Sequence, residues 1–286
     1  RPYIGALAML WWLVLCIGAV GASVSTGGDH ACGVEQAGCD PTGIDCYGPA
    51  KCWGKDTEGQ ATPSPDIDYV RVTCGYEHTC AIEADGYLYR PTQNVKCWGN
   101  PSYNKLKAPA VAFKEIEAGD LHTCGIRLMD DKVQCWGYNG NDVLKNPFFA
   151  TKFVTISAGA RHTCGIQMGG DEEYGLVKCW GGSDTWDYGQ TTPVPDVRYV
   201  HVSSGAYHTC GIQSEDGHAK CWGNNDNGRG TPIPDVQYDA IAAGYYHTCA
   251  LRYDTHEAEC WGDNQRGQSE PPKGIAFSSI SVGRFH

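Results

Sequence analysis

The sequence lacks the short signatures that mark common catalytic sites. It contains no Gly-x-Ser-x-Gly nucleophile turn, no His-Glu-x-x-His metal pair and no glycine-rich phosphate loop that ends in lysine. Positive charge is also scarce, because 22 lysines and arginines stand against 33 aspartates and glutamates, a formal net charge of −11. An acidic surface repels phosphate groups. These absences argue against an enzyme, against a cofactor and against nucleic acid as a partner.

Residues that break helices are frequent in this sequence. The chain of 286 residues contains 37 glycines and 15 prolines, and both have poor helix propensity. Aromatic residues make up 11% of the chain, enough to form a buried core. Sixteen cysteines are too many for an ordinary cytosolic protein. The composition therefore predicts a mostly β, disulfide-containing chain from an oxidising compartment.

A long apolar run without charge lies near the start. Residues 4–22 carry no charge, follow Arg1 and end in small residues before Ser23. This pattern predicts a signal peptide over residues 1–22, with a signal anchor as the alternative. The chain is interpreted as a fragment, and membrane contact is expected only through this segment or a region after the fragment. We expect a secreted protein or one on the extracellular face of the membrane.

Two motifs recur along the rest of the chain. Cys-Trp-Gly occurs six times, at intervals of 45, 38, 44, 42 and 39 residues. Gly-x-x-His-Thr-Cys precedes five of these triplets, Gly-Gly-Asp-His-Ala-Cys precedes the first, and residues 283–286 begin a further copy. Alternating apolar residues predict three strands per unit, with a fourth near a Gly-Gln or Gly-Arg step. Units this small bury a sheet face only against each other, which predicts a β-propeller, with a linear β-solenoid as the alternative.

The phrase is most complete at residues 244–268, where Cys-Trp-Gly-Asp-Asn leads to Gly-Gln, and it resembles the regulator of chromosome condensation repeat. The resemblance extends over about residues 23–286. It implies an all-β, seven-bladed β-propeller, of which this sequence holds six blades and the start of a seventh. The expected units are 23–65, 66–109, 110–150, 151–195, 196–234, 235–273 and, in part, 274–286.

The resemblance implies three possible functions. The paired cysteines look like those of family members on cell surfaces, such as the crinkly-type receptor kinases of plants. We therefore favour a secreted or cell-surface module that binds a protein partner. The founding member of the family is an exchange factor for a small GTPase, which provides one alternative. Secreted bacterial members include a β-lactamase inhibitor, which makes a propeller-type enzyme inhibitor the other.

The two cysteines of each unit are predicted to form a disulfide across a hairpin. Cys124 and Cys135 lie opposite each other when the turn is centred between Met129 and Asp130, and opposite residues in antiparallel strands are close enough for a bridge. The alternative is zinc, since His-x-Cys followed by a later Cys offers three ligands per unit. Cys74 is left over. The predicted bridges are Cys32–Cys52, Cys39–Cys46, Cys80–Cys97, Cys124–Cys135, Cys164–Cys179, Cys210–Cys221 and Cys249–Cys260.

Seven of the ten histidines occupy one position of the repeat motif. One hypothesis is a ring of imidazoles that binds a metal or senses pH. The hypothesis we favour is a structural role repeated in every unit. The six motif tryptophans are likewise predicted to pack between blades.

Binding residues are predicted where units depart from the repeat. An insert at residues 183–188 carries Trp186 and Tyr188, and an enlarged turn carries Tyr87 and Arg90. Trp, Tyr and Arg are enriched at binding hot spots, and loops on a rigid scaffold usually carry binding. These four residues are predicted to contact a partner, with ordinary turn variation as the alternative.

Overall fold

A computed structural model describes residues 24–39, 46–84, 91–140, 142–169, 174–182 and 186–286. The predicted signal segment 1–22 lies outside these residues. Within the described ranges, no helix is long and apolar enough to cross a membrane. The strands are β1 (Val24–Thr26), β2 (His30–Val34), β3 (Gly38–Cys39), β4 (Cys46–Gly54), β5 (Asp68–Cys74), β6 (His78–Ala84), β7 (Pro91–Gly99), β8 (Phe113–Ala118), β9 (His122–Arg127), β10 (Val133–Gly137), β11 (Phe153–Ala158), β12 (His162–Gln167), β13 (Gly175–Gly181), β14 (Arg198–Ser204), β15 (His208–Gln213), β16 (Ala219–Gly223), β17 (Tyr238–Ala243), β18 (His247–Arg252) and β19 (Ala258–Gly262).

The strands form antiparallel meanders that repeat along the chain. The second strand of each meander begins at the motif histidine, and the third carries Cys-Trp-Gly. Hydrogen bonds join the strands into four sheets, ordered β1-β2-β4-β5-β6-β7 with β3 on β4, β10-β9-β8, β11-β12-β13-β14-β15-β16 and β17-β18-β19. The predicted all-β propeller is thereby confirmed as a class. The number of blades and the unit bounds stay predictions.

The fourth strand expected near the Gly-Gln step is wrong for the described residues. That step is a turn, or a short 3-10 segment as at Ser102–Asn104 and Asp226–Gly228. Gly59 and Asn227 there have φ values of 77° and 60°. This left-handed backbone reverses the chain and does not continue an extended strand.

The core lies between consecutive units, as the tryptophan prediction required. In one cluster, Cys124 and Ile126 of one meander pack against Phe153, Ile156 and Trp180 of the next. Five motif tryptophans lie in such clusters. The first motif tryptophan is the exception and is 37% exposed. Because each unit supplies one half of an apolar interface, no unit is a complete core alone.

Six disulfides match the predicted pairs. In each, the two cysteines are directly opposite in the second and third strands, with Cα atoms 4.0–4.1 Å apart. For the seventh predicted pair, Cys39 is opposite Cys46 in the β3–β4 ladder, and Cys46 is disulfide-bonded. Ligand atoms of His30, Cys32 and Cys74 lie within 4.8 Å of one another. Cys32 is already bonded to another cysteine, which argues against the zinc alternative.

Candidate protein-binding face

The motif glycines allow the units to meet tightly around a central axis. A Cβ atom added to Gly159 would lie 2.2 Å from the carbonyl oxygen of Gly205, and the same close approach links each motif glycine to the next. The series closes on itself, since a Cβ atom added to Gly283 would lie 2.7 Å from the carbonyl oxygen of Gly27. Only glycine permits such an approach. The circle encloses a narrow channel of about 70 Å³, smaller than the pockets that usually hold drug-sized ligands.

The motif histidines and threonines join neighbouring units. His162 Nε2 lies 2.8 Å from the Thr209 hydroxyl, which donates in turn to the Gln190 carbonyl at 3.0 Å. A hydroxyl has one proton, so Thr209 accepts from the imidazole and the ring is neutral with its proton on Nε2. Trp222 donates to the same carbonyl at 2.8 Å. Five His–Thr contacts of 2.7–2.9 Å repeat this link among the described residues.

This geometry supports the structural role of the histidines. The rings point to successive neighbours and do not converge on one ligand. Burial lowers the pKa of His78, His122 and His208 to about 3, with smaller contributions from nearby cationic groups or other histidines. Such rings stay neutral at physiological pH.

The two variable residues of each Gly-x-x-His-Thr-Cys motif gather at one end of the channel. They form two-residue turns, closed by bonds such as that from the Gly159 amide to the His162 carbonyl, 2.8 Å. The loops after Cys-Trp-Gly bond to these turns, as from the Asn224 amide to the Tyr207 carbonyl, 2.8 Å. We call these turns (28–29, 76–77, 120–121, 160–161, 206–207, 245–246 and 284–285), together with the adjoining loops, the loop face.

The centre of the loop face is an aromatic cluster around one cation. The guanidinium of Arg284 lies over the rings of Tyr76 and Tyr245 at 5.4 and 5.1 Å, and its Nη1 donates to the Tyr76 hydroxyl at 2.7 Å. On the other side, the Tyr245 hydroxyl donates to the Asp120 carboxylate. Burial raises the pKa of Asp120 to about 6, against the opposing effects of Tyr245, Arg161 and Arg284. Residues from distant repeats therefore meet at the mouth of the channel.

A second cluster contains the insert predicted for binding. Trp186 and Tyr188 are 40% and 45% exposed, and both rings lie against Tyr207 with centroid distances of 6.0 and 5.7 Å. The Arg161 guanidinium lies 5.5 Å from the Trp186 ring centroid. Gln190 fixes the loop, because its side-chain oxygen accepts from the Tyr188 amide at 2.7 Å. The insert is held by its neighbours but keeps much of its aromatic surface open.

A third cluster continues the aromatic surface. Tyr246 stacks on Phe285 with centroids 6.0 Å apart. Arg229 lies 5.4 Å from the Tyr246 ring, and Arg266 lies 4.1 Å from the Phe285 ring. Arg284 also approaches Phe285, at 4.9 Å. The third cluster thus adjoins the central one.

Comparison with known sequences agrees with the repeats. The regulator of chromosome condensation (RCC1) repeat matches residues 69–105, 199–229 and 238–268. The three matched segments are RCC1-type repeats. Each contains a disulfide-bonded cysteine pair and one Gly-x-x-His-Thr-Cys turn.

Several solved structures are similar to this chain. The ectodomain of the receptor kinase ACR4 from Arabidopsis thaliana shares 25% identity with a TM-score of 0.70, covering 92% of this chain and 88% of that one. The ectodomain of the receptor kinase CR4 from Physcomitrella patens shares 25% identity with a TM-score of 0.71, covering 92% and 68%. Prp20p from Saccharomyces cerevisiae, studied for its binding to Gsp1p and histones, shares 14% with a TM-score of 0.68, covering 92% and 80%.

The structure describes two of the four binding residues predicted from the sequence. Trp186 and Tyr188 lie on the loop face, whereas Tyr87 and Arg90 lie outside the described residues. All four remain predictions as partner contacts.

Sequence reasoning missed the turn residues of the loop face. Tyr207 and Arg161 occupy variable positions inside an otherwise regular motif, as do Asp120, Tyr245 and Arg284. The repeated motif itself contained the signal that could have identified them. Its two middle positions vary from copy to copy, while Gly, His, Thr and Cys recur. The sequence does not show that these turns meet around one axis.

Cys74 lines the channel beside the motif glycines and is a free, buried cysteine. Burial raises the pKa of its thiol to about 12, outweighing hydrogen bonds from Thr79 and Ser25. The thiolate is the reactive form of cysteine, so this residue is unreactive in the folded RCC1 repeats.

Proposed function

We propose that this RCC1-repeat propeller is an extracellular module that binds a protein partner through its loop face. The observation that carries the proposal is an aromatic concentration on one face, formed by Trp186, Tyr188, Tyr207 and Tyr246. The half-buried Arg161 lies against the Trp186 ring, and the buried Arg229 lies against the Tyr246 ring. Tyrosine, tryptophan and arginine dominate the energetics of protein interfaces. An RCC1-repeat scaffold held by inter-unit bonds presents them with little loss of conformational entropy.

Two findings support the extracellular setting, and a third supports protein binding. Six disulfides require an oxidising compartment to form and persist. The two similar structures at 25% identity are ectodomains of receptor kinases. Prp20p is described with protein partners of its own, which supports protein binding in general. At 14% identity, it supports the exchange-factor alternative through fold alone.

The proposal includes a closed ring of seven repeat units. The closed series of glycine contacts and the bond from the Thr26 amide to the Ser281 hydroxyl, 3.1 Å, favour it. In such a ring, residues 281–286 are the inner edge of a seventh blade beside the first. A rigid ring holds all the variable turns in fixed relative positions, which suits recognition of a structured partner.

Site-specific cross-linking tests the face directly. The protein is produced in an oxidising host with a photoreactive phenylalanine analogue in place of Tyr188, and it is exposed to intact cells and secreted material of its source. A matched variant carries the analogue in place of Tyr253, which is 66% exposed on the β18–β19 hairpin at the opposite end of the strands. We expect one defined protein adduct at position 188 and none at position 253.

The affinity of variants for the captured partner measures how much a single residue of the face contributes to binding. Trp186→Ala should weaken binding by about thirtyfold, the loss expected on truncating a hot-spot residue, and should leave the melting temperature within a few degrees. Tyr253→Ala is the control and should change neither. Equal weakening by both variants, or adducts at position 253 alone, would place the contact elsewhere and contradict the proposal.

A further inference from the structure

Three arginines of the loop face differ from the arginines at the far ends of the hairpins. Arg161, Arg266 and Arg284 take part in none of the ion pairs formed within the described residues. By contrast, Arg127 pairs with Asp130, and Arg252 Nη1 lies 2.8 Å from a carboxylate oxygen. In a chain with 33 carboxylates and 22 basic groups, arginines outside the ion pairs are unexpected on charge balance alone.

Aromatic rings hold these guanidiniums in place. The distances from guanidinium to ring centroid are 5.5 Å for Arg161 on Trp186, 4.1 Å for Arg266 on Phe285 and 4.9 Å for Arg284 on Phe285. A cation–π contact uses the flat face of the guanidinium and leaves its N–H edge available. Arg284 uses one N–H on a tyrosine hydroxyl, while a second, Nε, is buried without a partner.

Three nearby carboxylates accept hydrogen bonds from other groups of the chain. Asp187 accepts from the Gly189 amide at 2.8 Å, and Asp263 accepts from the Gln268 side chain at 2.8 Å. Asp120 accepts from a tyrosine across the channel. These acids shape the loops, so the arginine donors stay available for groups outside the chain.

We infer that the loop face recognises an acidic segment of its protein partner, with carboxylates bound by Arg161, Arg266 and Arg284 and apolar groups packed on the rings beneath them. The inference rests on the proposed function and names the chemistry of the partner. The guanidinium fork matches a carboxylate with two parallel hydrogen bonds. The net charge of −11 opposes any polyanion over a long range, so a short acidic segment with few charges is favoured over a polyphosphate strand.

Fluorescence anisotropy with defined probes tests this chemistry on the disulfide-bonded protein. The probes are a labelled peptide of repeating Glu-Gly-Phe, its matched Gln-Gly-Phe peptide and a labelled single-stranded oligonucleotide. We expect the Glu peptide to bind at least about tenfold more tightly than the Gln peptide at low salt, and more weakly as salt rises.

Charge-matched variants locate the site. Arg161→Gln with Arg266→Gln should weaken binding of the Glu peptide by about tenfold or more. Arg127→Gln with Arg252→Gln removes the same charge at the far ends of β9 and β18 and should have little effect. Arg161→Lys with Arg266→Lys keeps the charge without the fork and should fall between them. Thermal melting of each variant confirms folding, and the lysine pair supplies the test if the glutamine pair unfolds.

Any of three other outcomes would overturn the inference. Equal weakening by both glutamine pairs shows a general charge effect, and equal binding of the Glu and Gln peptides removes the acidic preference. Tighter binding of the oligonucleotide assigns the arginines to phosphate. In all three cases, weaker binding of the captured partner by the Trp186→Ala variant would still support the proposed function. Failure of the inference is therefore distinguishable from failure of the proposed function.

Discussion

Acidification should destabilise this protein steeply, because folding buries imidazoles in neutral form. Six motif histidines have pKa values lowered chiefly by burial, to about 3 or about 4 against an ordinary 6.5: His30, His78, His122, His162, His208 and His247. A lowered imidazole pKa contributes stability that is fully present above pH 6.5 and is lost as the pH falls toward 4.

The size of the effect follows from proton counting. At pH 5.5 an unfolded histidine carries about 0.9 proton and a buried one almost none, so six rings take up about five protons on unfolding. Two acids oppose this, because burial raises the pKa of Glu117 to about 8 and of Asp120 to about 6. They release about 1.5 protons on unfolding, which leaves a net uptake of about four, or roughly 5 kcal/mol of unfolding free energy per pH unit.

Denaturant titration at pH 7.5, 6.5 and 5.5 measures this slope, with the disulfides intact and tryptophan fluorescence as the signal. We expect the unfolding free energy to fall by several kcal/mol between the last two values. His122→Gln keeps a side-chain N–H donor and removes one titrating ring, so it should reduce the slope by about one proton. If the unfolding free energy changes by less than about 1 kcal/mol between pH 6.5 and 5.5, or if this substitution leaves the slope unchanged, the motif histidines are not buried in neutral form.

Three further outcomes test the contacts between units and the disulfides within them. Thr209→Val should cost about 1–3 kcal/mol in denaturant titration, because it leaves the His162 N–H buried without an acceptor, while Thr209→Ser should cost much less. Gly159→Ala should lower the melting temperature by several degrees, since the added methyl group would overlap the Gly205 carbonyl; an unchanged melting temperature would contradict the close approach. Reducing the disulfides should destabilise the protein by about 2–4 kcal/mol per bridge, and resistance of the fold to reductant would show that they contribute little.

Local structure was predictable because it depends on residues close together in the sequence. The bridge between Cys124 and Cys135 followed from the period of two in strands and from the length of one hairpin. The strand starting at each motif histidine and the need for units to pack on each other followed from the same alternation and from the small size of the repeat. The predicted fourth strand failed, because left-handed residues such as Asn227 turn the chain where an extended segment was expected.

The candidate binding face was predictable only in part. Trp186 and Tyr188 were marked by an insert in the repeat, which is a feature of the sequence. Their contact with Tyr207 was not, because the turn that carries Tyr207 belongs to the following unit.

The sequence by itself determined the repeat, the three-stranded unit, the disulfide register and the packing of most motif tryptophans between units. Each depends on spacing within about one unit, where strand geometry leaves few alternatives. Only the tertiary structure decided that Asp120 and Tyr245, 125 residues apart, share a hydrogen bond, and that Arg284 lies between Tyr76 and Tyr245. Those contacts depend on how the units are arranged around the axis, and small differences between repeats add up along the chain. The variable turns therefore gain a common function only when the glycines bring them together.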